Sequence, residues 1–179
     1  MYDFRGTAKT KKPMKDRKII IVLMGVAGSG KTTVGKLLSS ELAWLFVDTD
    51  DLHPYENIKK MASGVPLTDE DRKPWLKEAK RAFIELNHRD ENAVFAFPGL
   101  KQKHRRHVLD DNSSIKLVHL TGDFDLIHKR LLARKGHFFP AYLLSSQFDI
   151  LQPPMEALRI DVSSSPSDIV NTIRNRLGI

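Results

Sequence analysis

A glycine-rich turn over residues 25–32 constrains this chain more than any other feature of the sequence. The turn reads GVAGSGKT, a complete G-x-x-x-x-G-K-[ST] phosphate-binding pattern, and an apolar run over residues 19–24 leads into it. Backbone N–H groups of such a turn wrap a phosphate, while Lys31 reaches the outer phosphates and the Thr32 hydroxyl ligates Mg²⁺. Apolar residues at helical spacing over 34–42 predict a helix behind the turn. We therefore predict a nucleotide site whose contact residues are Gly25, Val26, Ala27, Gly28, Ser29, Gly30, Lys31, Thr32 and Thr33.

Composition narrows the class of protein. With 179 residues, 41% of them hydrophobic, the chain is expected to bury one core. The absence of cysteine excludes a disulfide framework, a thiolate metal site and a cysteine nucleophile. It is also typical of a reducing compartment, so we expect a cytoplasmic location.

The net charge of +7 is concentrated in a basic tail over residues 1–18, which holds seven basic and two acidic residues. We expect this tail to be disordered and residues 19–179 to form a single domain. Because the rest of the chain is nearly balanced, we expect no binding of nucleic acid. The apolar run over 19–24 imitates the core of a secretion signal, but it leads directly into the phosphate turn, so we interpret it as a strand. No apolar stretch approaches the ~18 residues that cross a membrane.

Short apolar runs alternate with helical patterns along the chain. We predict strands near residues 19–24, 45–48, 93–97, 115–120 and 158–162. This alternation is typical of an α/β fold, a five-stranded parallel sheet flanked by helices. Helix boundaries are marked by Pro54 and Gly64, by the capping-box pair Thr68 and Asp71, and by Ser165–Pro166.

Two carboxylates follow the second predicted strand, at Asp48 and Asp50. Ligands of open α/β sheets bind at the carboxyl ends of the strands, so this pair should face the phosphate turn. In an extended exit, residues two apart point to one side, with Asp48 towards Mg²⁺ and Asp50 towards an acceptor hydroxyl as its general base. The alternative is that these aspartates cap the helix that starts near Pro54 and fill a turn.

The position of the acids also separates classes of nucleotide-binding protein. Motor and nucleic-acid ATPases commonly have an acid at the end of the strand beside the phosphate turn, where this chain has Phe97-Pro98-Gly99. A regulatory GTPase would need Asp-x-x-Gly downstream of the turn and an Asn-Lys-x-Asp motif, and neither occurs. The pattern favours a kinase for a small metabolite.

Basic residues further along the chain suggest a lid over residues 130–150. Arg130 and Arg134 lie four apart in a helix predicted over 123–135, and Gly136 and Pro140 provide a hinge and a stop. Arginines placed over a transferring phosphoryl group stabilise its charge once closure has excluded water. The alternative is an ordinary solvated basic helix face.

A second basic cluster occupies residues 101–107, and half of it must face solvent if the segment is helical. One or two of its side chains are in reach of an anionic substrate at the same sheet edge. The histidines show no metal-ligand spacing, so we expect His53, His104, His107 and His137 to make polar contacts at most.

From residue 19 to about 177 the chain resembles the thermoresistant type of gluconate kinase, within the shikimate-kinase group of P-loop kinase folds. The resemblance rests on four blocks: GVAGSGKTTVGKLL at 25–38, DTDDLHPYENIKKMASGVPLTDEDRKPWL at 48–76, HLTGDFDLIHKRLLARKGHFFPAYLLSSQFDILQPP at 119–154 and IDVSSSPSDIV at 160–170.

The resemblance implies ATP-dependent phosphorylation of the terminal hydroxyl of D-gluconate, with Mg²⁺, a mobile lid and commonly a homodimer. It implies catalytic roles for Lys31, Asp50, Arg130 and Arg134, and metal ligation by Thr32 and Asp48, directly or through water. The sugar acid would be held by Asp50, Arg72, Lys101 and Arg105. Residues 163–166 would border the adenine.

One block departs from the family pattern. Where the family reads Cys-Ser-Ala-Leu-Lys-Lys-x-Tyr-Arg, residues 97–105 read FPGLKQKHR. Pro98 removes a hydroxyl and a backbone N–H, and Phe97 adds bulk at the end of the third strand. This departure keeps two alternatives open, namely a kinase for another sugar acid or polyol, and a nucleotide-binding relative with little catalysis.

Overall fold

The computed structural model describes residues 18–89, 91–109, 114–134 and 138–179, and within them a five-stranded parallel sheet. The strands are β1 (Ile20–Met24), β2 (Leu45–Asp48), β3 (Ala93–Ala96), β4 (Ile115–Thr121) and β5 (Leu158–Asp161). They lie in the order β2-β3-β1-β4-β5, and every pairing is parallel. The predicted strands and sheet type are confirmed.

Helices cover both faces of this sheet. They are α1 (Lys31–Leu42), α2 (Tyr55–Ala62), α3 (Asp69–His88), α4 (Gln102–Val108), α5 (Phe124–Ala133), α6 (Leu144–Ile150) and α7 (Pro166–Leu177). Two short 3₁₀ turns, Thr49–Leu52 and Ala141–Leu143, join them. Because β1 is covered on both sides, it is apolar throughout rather than alternating.

The two faces of β1 belong to two different hydrophobic clusters. Ile21 and Leu23 pack with residues of α1 and α7, whereas Ile20 and Val22 pack with α3. All five residues of β1 are fully buried. The strand therefore has no freedom to shift, and the turn that follows it is held at the centre of the sheet edge.

Helix ends follow the sequence signals, with one difference. The capping box of Thr68 and Asp71 starts α3, and Ser165 caps α7. The helix predicted over 123–135 is shorter, because Asp123 is its cap and Arg134 has an extended backbone beyond its last turn. The Arg134 N–H bonds to Leu131 O, three residues back, in the tightened turn with which helices commonly end.

Some expectations fall on residues that the structure does not describe. The basic tail lies outside the described residues except for Lys18, and so do Gly136 and His137. Among the described residues, no helix is long and apolar enough to cross a membrane.

The capping box gives a test of the fold. We expect Thr68→Ala to lower the free energy of unfolding by about 1 kcal/mol, because the Asp71 N–H loses its acceptor at 3.2 Å. The measurement is urea unfolding followed by circular dichroism. Thr172→Ala is the matched control, since its hydroxyl bonds only to Asp168 O within α7. Equal unfolding free energies for the two variants would contradict the assigned cap.

Candidate active site

The turn after β1 forms a compact cradle at the carboxyl edge of the sheet. Gly28 has a φ of +80°, and a Cβ there would lie 2.7 Å from Leu131 Cγ, so only glycine fits. Lys31 is buried, and its Nζ donates to the carbonyls of Gly25 and Val26 at 3.1 Å each. The ammonium group is thereby held beside the backbone N–H groups that bind phosphate in such turns.

Burial also sets the protonation of this cradle. Desolvation lowers the pKa of Lys31, while the carboxylates of Asp50 and Asp48 oppose that shift. Burial raises the pKa of Asp50, and the Lys31 charge opposes it. The two side chains therefore stabilise each other's charged forms.

Asp48 and Asp50 take different positions, and the expectation of an extended exit from β2 is wrong. Residues 49–52 form a 3₁₀ turn, since Asp48 Oδ1 accepts the Asp50 N–H at 3.1 Å. The other oxygen, Oδ2, accepts the Thr32 hydroxyl at 2.6 Å. Asp48 thus caps this short turn rather than the helix after Pro54, where no side-chain cap bond forms.

Thr32 and Asp48 bring together the kind of donors that Mg²⁺ prefers, a hydroxyl and a carboxylate oxygen. Among the described residues there is no group of three or more histidines, aspartates or glutamates able to hold a metal alone. A metal at Thr32 and Asp48 would therefore take its remaining ligands from phosphates and water.

Two cavities meet at the phosphate turn. The first, the loop cavity, has a volume of about 390 Å³ and is lined by the turn together with Arg130, Arg134, Ser164 and Pro166. The second, the inner cavity, has a volume of about 70 Å³ and lies between α3, the residues after β3 and residues 138–150. Three residues line both cavities, namely Ala27, Lys31 and Asp50.

The predicted lid arginines both reach the loop cavity, although they do not share one helix. Arg130 is on α5, and its Nη2 donates to Val162 O at 2.7 Å. Arg134 lies just beyond the helix and is exposed. Residues 138–150, which we call the roof segment, contain the second 3₁₀ turn and α6, and close over the inner cavity.

Of the predicted substrate residues, the structure brings Arg72 to Asp50 in the inner cavity. Lys101 is not among the described residues that line either cavity, and its Nζ donates to Asp69 Oδ1 at 2.7 Å instead. Arg105 is placed elsewhere: it is buried, and its Nη1 donates to Gly99 O at 2.6 Å. That side chain holds the segment after β3 in place instead of facing the cavity.

The described lining of the inner cavity includes Trp75, which sequence reasoning did not assign to the site, and His53 and His104, which it expected to make polar contacts at most. The His53 ring stacks on Trp75 with centroids 4.6 Å apart, and Trp75 Nε1 donates to Thr49 O at 2.7 Å. Burial and the nearby Arg72 charge lower the pKa of both histidines to about 4, so both are neutral at pH 7. The helical spacing of Arg72 and Trp75, three apart on α3, was a signal for Trp75.

The divergent segment after β3 borders the phosphate turn directly. Pro98 O accepts the Gly25 N–H at 3.3 Å, and Pro98 and Gly99 line the inner cavity. Phe97 is fully buried, with its ring centroid 5.6 Å from that of Trp75. The added bulk of Phe97 therefore enters the core, and the altered cavity wall is Pro98–Gly99.

The chain is similar to known kinases over most of its length. A shikimate kinase family model matches residues 27–147. The chain is 43% identical to a protein described as a probable gluconokinase from Xenopus tropicalis, covering 89% of this chain and 93% of that one. It is 41% identical to the thermoresistant gluconokinase of Escherichia coli K12, covering 84% and 89% respectively. A solved gluconokinase structure from Sinorhizobium meliloti 1021 superposes with a TM-score of 0.77 at 34% identity, covering 90% and 94%.

The cradle around Lys31 yields a binding test. We expect Lys31→Met to weaken binding of Mg-ATP by about tenfold or more, because the phosphates lose a charged donor. The measurement is titration with a fluorescent ATP analogue. Lys36→Met, on the exposed side of the same helix, should leave the affinity unchanged. Equal affinities for the two variants would contradict the placement of phosphates at Lys31.

Proposed function

The chain belongs to the gluconokinase family, and on that premise we propose that it transfers the γ-phosphoryl group of ATP to the terminal hydroxyl of D-gluconate. The products would be 6-phosphogluconate and ADP. The observation that carries this proposal is the wall shared by the two cavities, formed by Ala27, Lys31 and Asp50. Donor and acceptor bound on its two sides would meet at one lysine and one carboxylate, as phosphoryl transfer requires.

The loop cavity is the proposed nucleotide site. Its phosphate end is formed by the glycine-rich turn, and its far end by Ser164 and Pro166, which would border the adenine. Arg130 and Arg134 line the same cavity and would stabilise charge on the transferring group. Lys31, desolvated and fixed by two carbonyls, would act on the outer phosphates without reorganising.

The inner cavity is the proposed acceptor site. Asp50 would accept the proton of the attacking hydroxyl, and its raised pKa suits it to that role better than an ordinary carboxylate. Arg72 would bind the carboxylate of the sugar acid. His53 and His104 are neutral at pH 7 and line this cavity, so each would bond to sugar hydroxyls as a neutral imidazole.

We propose that Mg²⁺ binds at Thr32 and Asp48, directly or through water. When bound, the ion neutralises phosphate charge during transfer. Because Asp48 Oδ1 also accepts the Asp50 N–H, the carboxylate at the metal site fixes the backbone of the proposed base. The homodimer and the cytoplasmic location stay predictions.

A second candidate function follows from the altered wall of the inner cavity. Pro98 and Gly99 line the cavity, and so does His104, which stands where the family pattern has tyrosine. All three residues line the inner cavity, and among the described residues none of them lines the loop cavity. They favour, as the alternative to gluconate, another sugar acid or a polyol.

An acceptor panel tests the function. We expect ADP release, coupled to a dehydrogenase assay, with gluconate plus Mg-ATP and none without an acceptor. A better aldonic acid or polyol in the panel would establish the second candidate. ATP binding without turnover on any acceptor would refute kinase activity.

Asp50→Asn tests the assigned base. We expect kcat to fall by about 10²- to 10⁴-fold, because the amide accepts no proton. In the wild type, kcat/KM should fall as the pH drops through the raised pKa of Asp50, since only the carboxylate is active. The loss should therefore begin at higher pH than for an ordinary aspartate. Near-normal turnover in Asp50→Asn would overturn this role.

Arg72→Met tests recognition of the acid group. We expect the KM for gluconate to rise about tenfold to a hundredfold, with the KM for ATP nearly unchanged, because one charge-assisted contact is lost. Arg81→Met is the matched control, as Arg81 is on the same helix but exposed, with Glu78 and Glu85 as partners. An unchanged KM for gluconate in Arg72→Met would place the carboxylate elsewhere.

A further inference from the structure

One side chain joins the roof segment to the phosphate turn. Gln147, on α6, accepts the backbone N–H of Ala27 through its Oε1 at 2.6 Å, across 120 residues of sequence. Since a backbone N–H can only donate, the carbonyl end of the side chain must face the turn. Gln147 lines the inner cavity, whereas Ala27 lines both cavities. The hydrogen bond therefore links Gln147 in the inner cavity to Ala27 in the wall that the two cavities share.

The roof segment is packed as part of one apolar cluster. Leu143 and Leu144 belong to the same cluster as Val26 of the phosphate turn and Met61 of α2. Tyr142 lies directly over Gly64, where an added Cβ would meet its hydroxyl. Because Gln147 is part of this packed segment, a displacement of the segment moves Gln147 relative to the Ala27 N–H.

The acceptor cannot enter without moving this segment. The inner cavity measures about 70 Å³, well below the ~300 Å³ at which small-molecule sites usually begin. A six-carbon sugar acid beside Asp50 and Arg72 would have to reposition the residues above it, and these include Gln147. Binding of the acceptor would then change the hydrogen bond between the Ala27 N–H and Gln147.

We propose that Gln147 is a positioning residue that couples the two sites, so that sugar acid and nucleotide bind more tightly together than apart. The inference rests on the proposed function, because it takes the inner cavity as the acceptor site. Gln147 acts through the Ala27 peptide: its Oε1 engages this N–H, and an acceptor that moves Gln147 away frees the N–H for a phosphate. A neutral amide holds the N–H without bringing negative charge to the phosphate site. By thermodynamic linkage, each ligand raises the affinity of the other by the same factor.

The test compares the nucleotide affinity with and without acceptor. Isothermal titration calorimetry gives the Kd of Mg-AMP-PNP for the full chain, alone and with saturating gluconate. We expect gluconate to lower this Kd about fivefold or more in the wild type. In Gln147→Met, which keeps the length of the side chain but not its acceptor, the ratio should fall to about one. The Kd for nucleotide alone should fall towards the wild-type value measured with gluconate, since in the variant the Ala27 N–H is free for phosphate whether or not the acceptor is bound.

Gln152→Met is the matched control. Gln152 Oε1 also accepts a backbone N–H, that of Gln102 at 2.8 Å, but Gln152 lines neither the loop cavity nor the inner cavity among the described residues. It should keep the wild-type ratio. A purely structural role of Gln147 would lower the unfolding temperature and leave the ratio intact.

Gln147→Glu keeps the test decisive if the methionine variant fails to fold. Its carboxylate still accepts from Ala27, so the coupling should persist while the nucleotide alone binds more weakly through charge repulsion. Loss of coupling in that variant would overturn the proposal, as would wild-type coupling in Gln147→Met or a wild-type ratio of one with both ligands bound. A wild type that binds no gluconate would instead refute the proposed function, and this inference with it.

Discussion

The complete burial of β1 is the constraint on which the site depends. Its five residues contact helices on both faces and strands on both edges, so its carboxyl end is fixed relative to every other element. The phosphate turn starts at that end, and Pro98 O after β3 holds its first N–H. Parallel pairing brings the end of β2 to the same edge, which is why Asp48 reaches the Thr32 hydroxyl.

Burial of the site sets the protonation behaviour of its charged residues. Lys31 and Asp50 are withdrawn from water, which shifts their pKa values towards the neutral forms, while each restrains the shift of the other. Because little solvent screens this charge pair, added phosphates, a metal or a sugar carboxylate would change its pKa values strongly. The roof segment closes over the inner cavity beside this pair. In our proposal, an acceptor that moves this segment changes the nucleotide affinity through Gln147.

The structure departs from the sequence-based expectations where side chains bond to nearby backbone groups or are buried by packing. An extended exit from β2 was expected, but residues 49–52 form a 3₁₀ turn that Asp48 caps by accepting the N–H of Asp50. The sequence resemblance predicts that Arg105 holds the substrate. In the structure its guanidinium donates to the carbonyl of Gly99, because Arg105 lies on the side of α4 that faces the segment after β3. His104, treated as a polar contact at most, is buried in the wall of the inner cavity.

The residue pattern alone was sufficient to predict the positions of the strands along the chain, the phosphate turn, the capped helices and the acids that follow β2. These features depend on residue type and short spacing, which act through local backbone preferences and hydrophobic period. Packing in three dimensions, by contrast, places Ala27, Lys31 and Asp50 in the walls of both cavities and brings Gln147 to a residue 120 positions away. Such contacts are set by how the elements pack on the sheet, and packing depends on the whole chain at once.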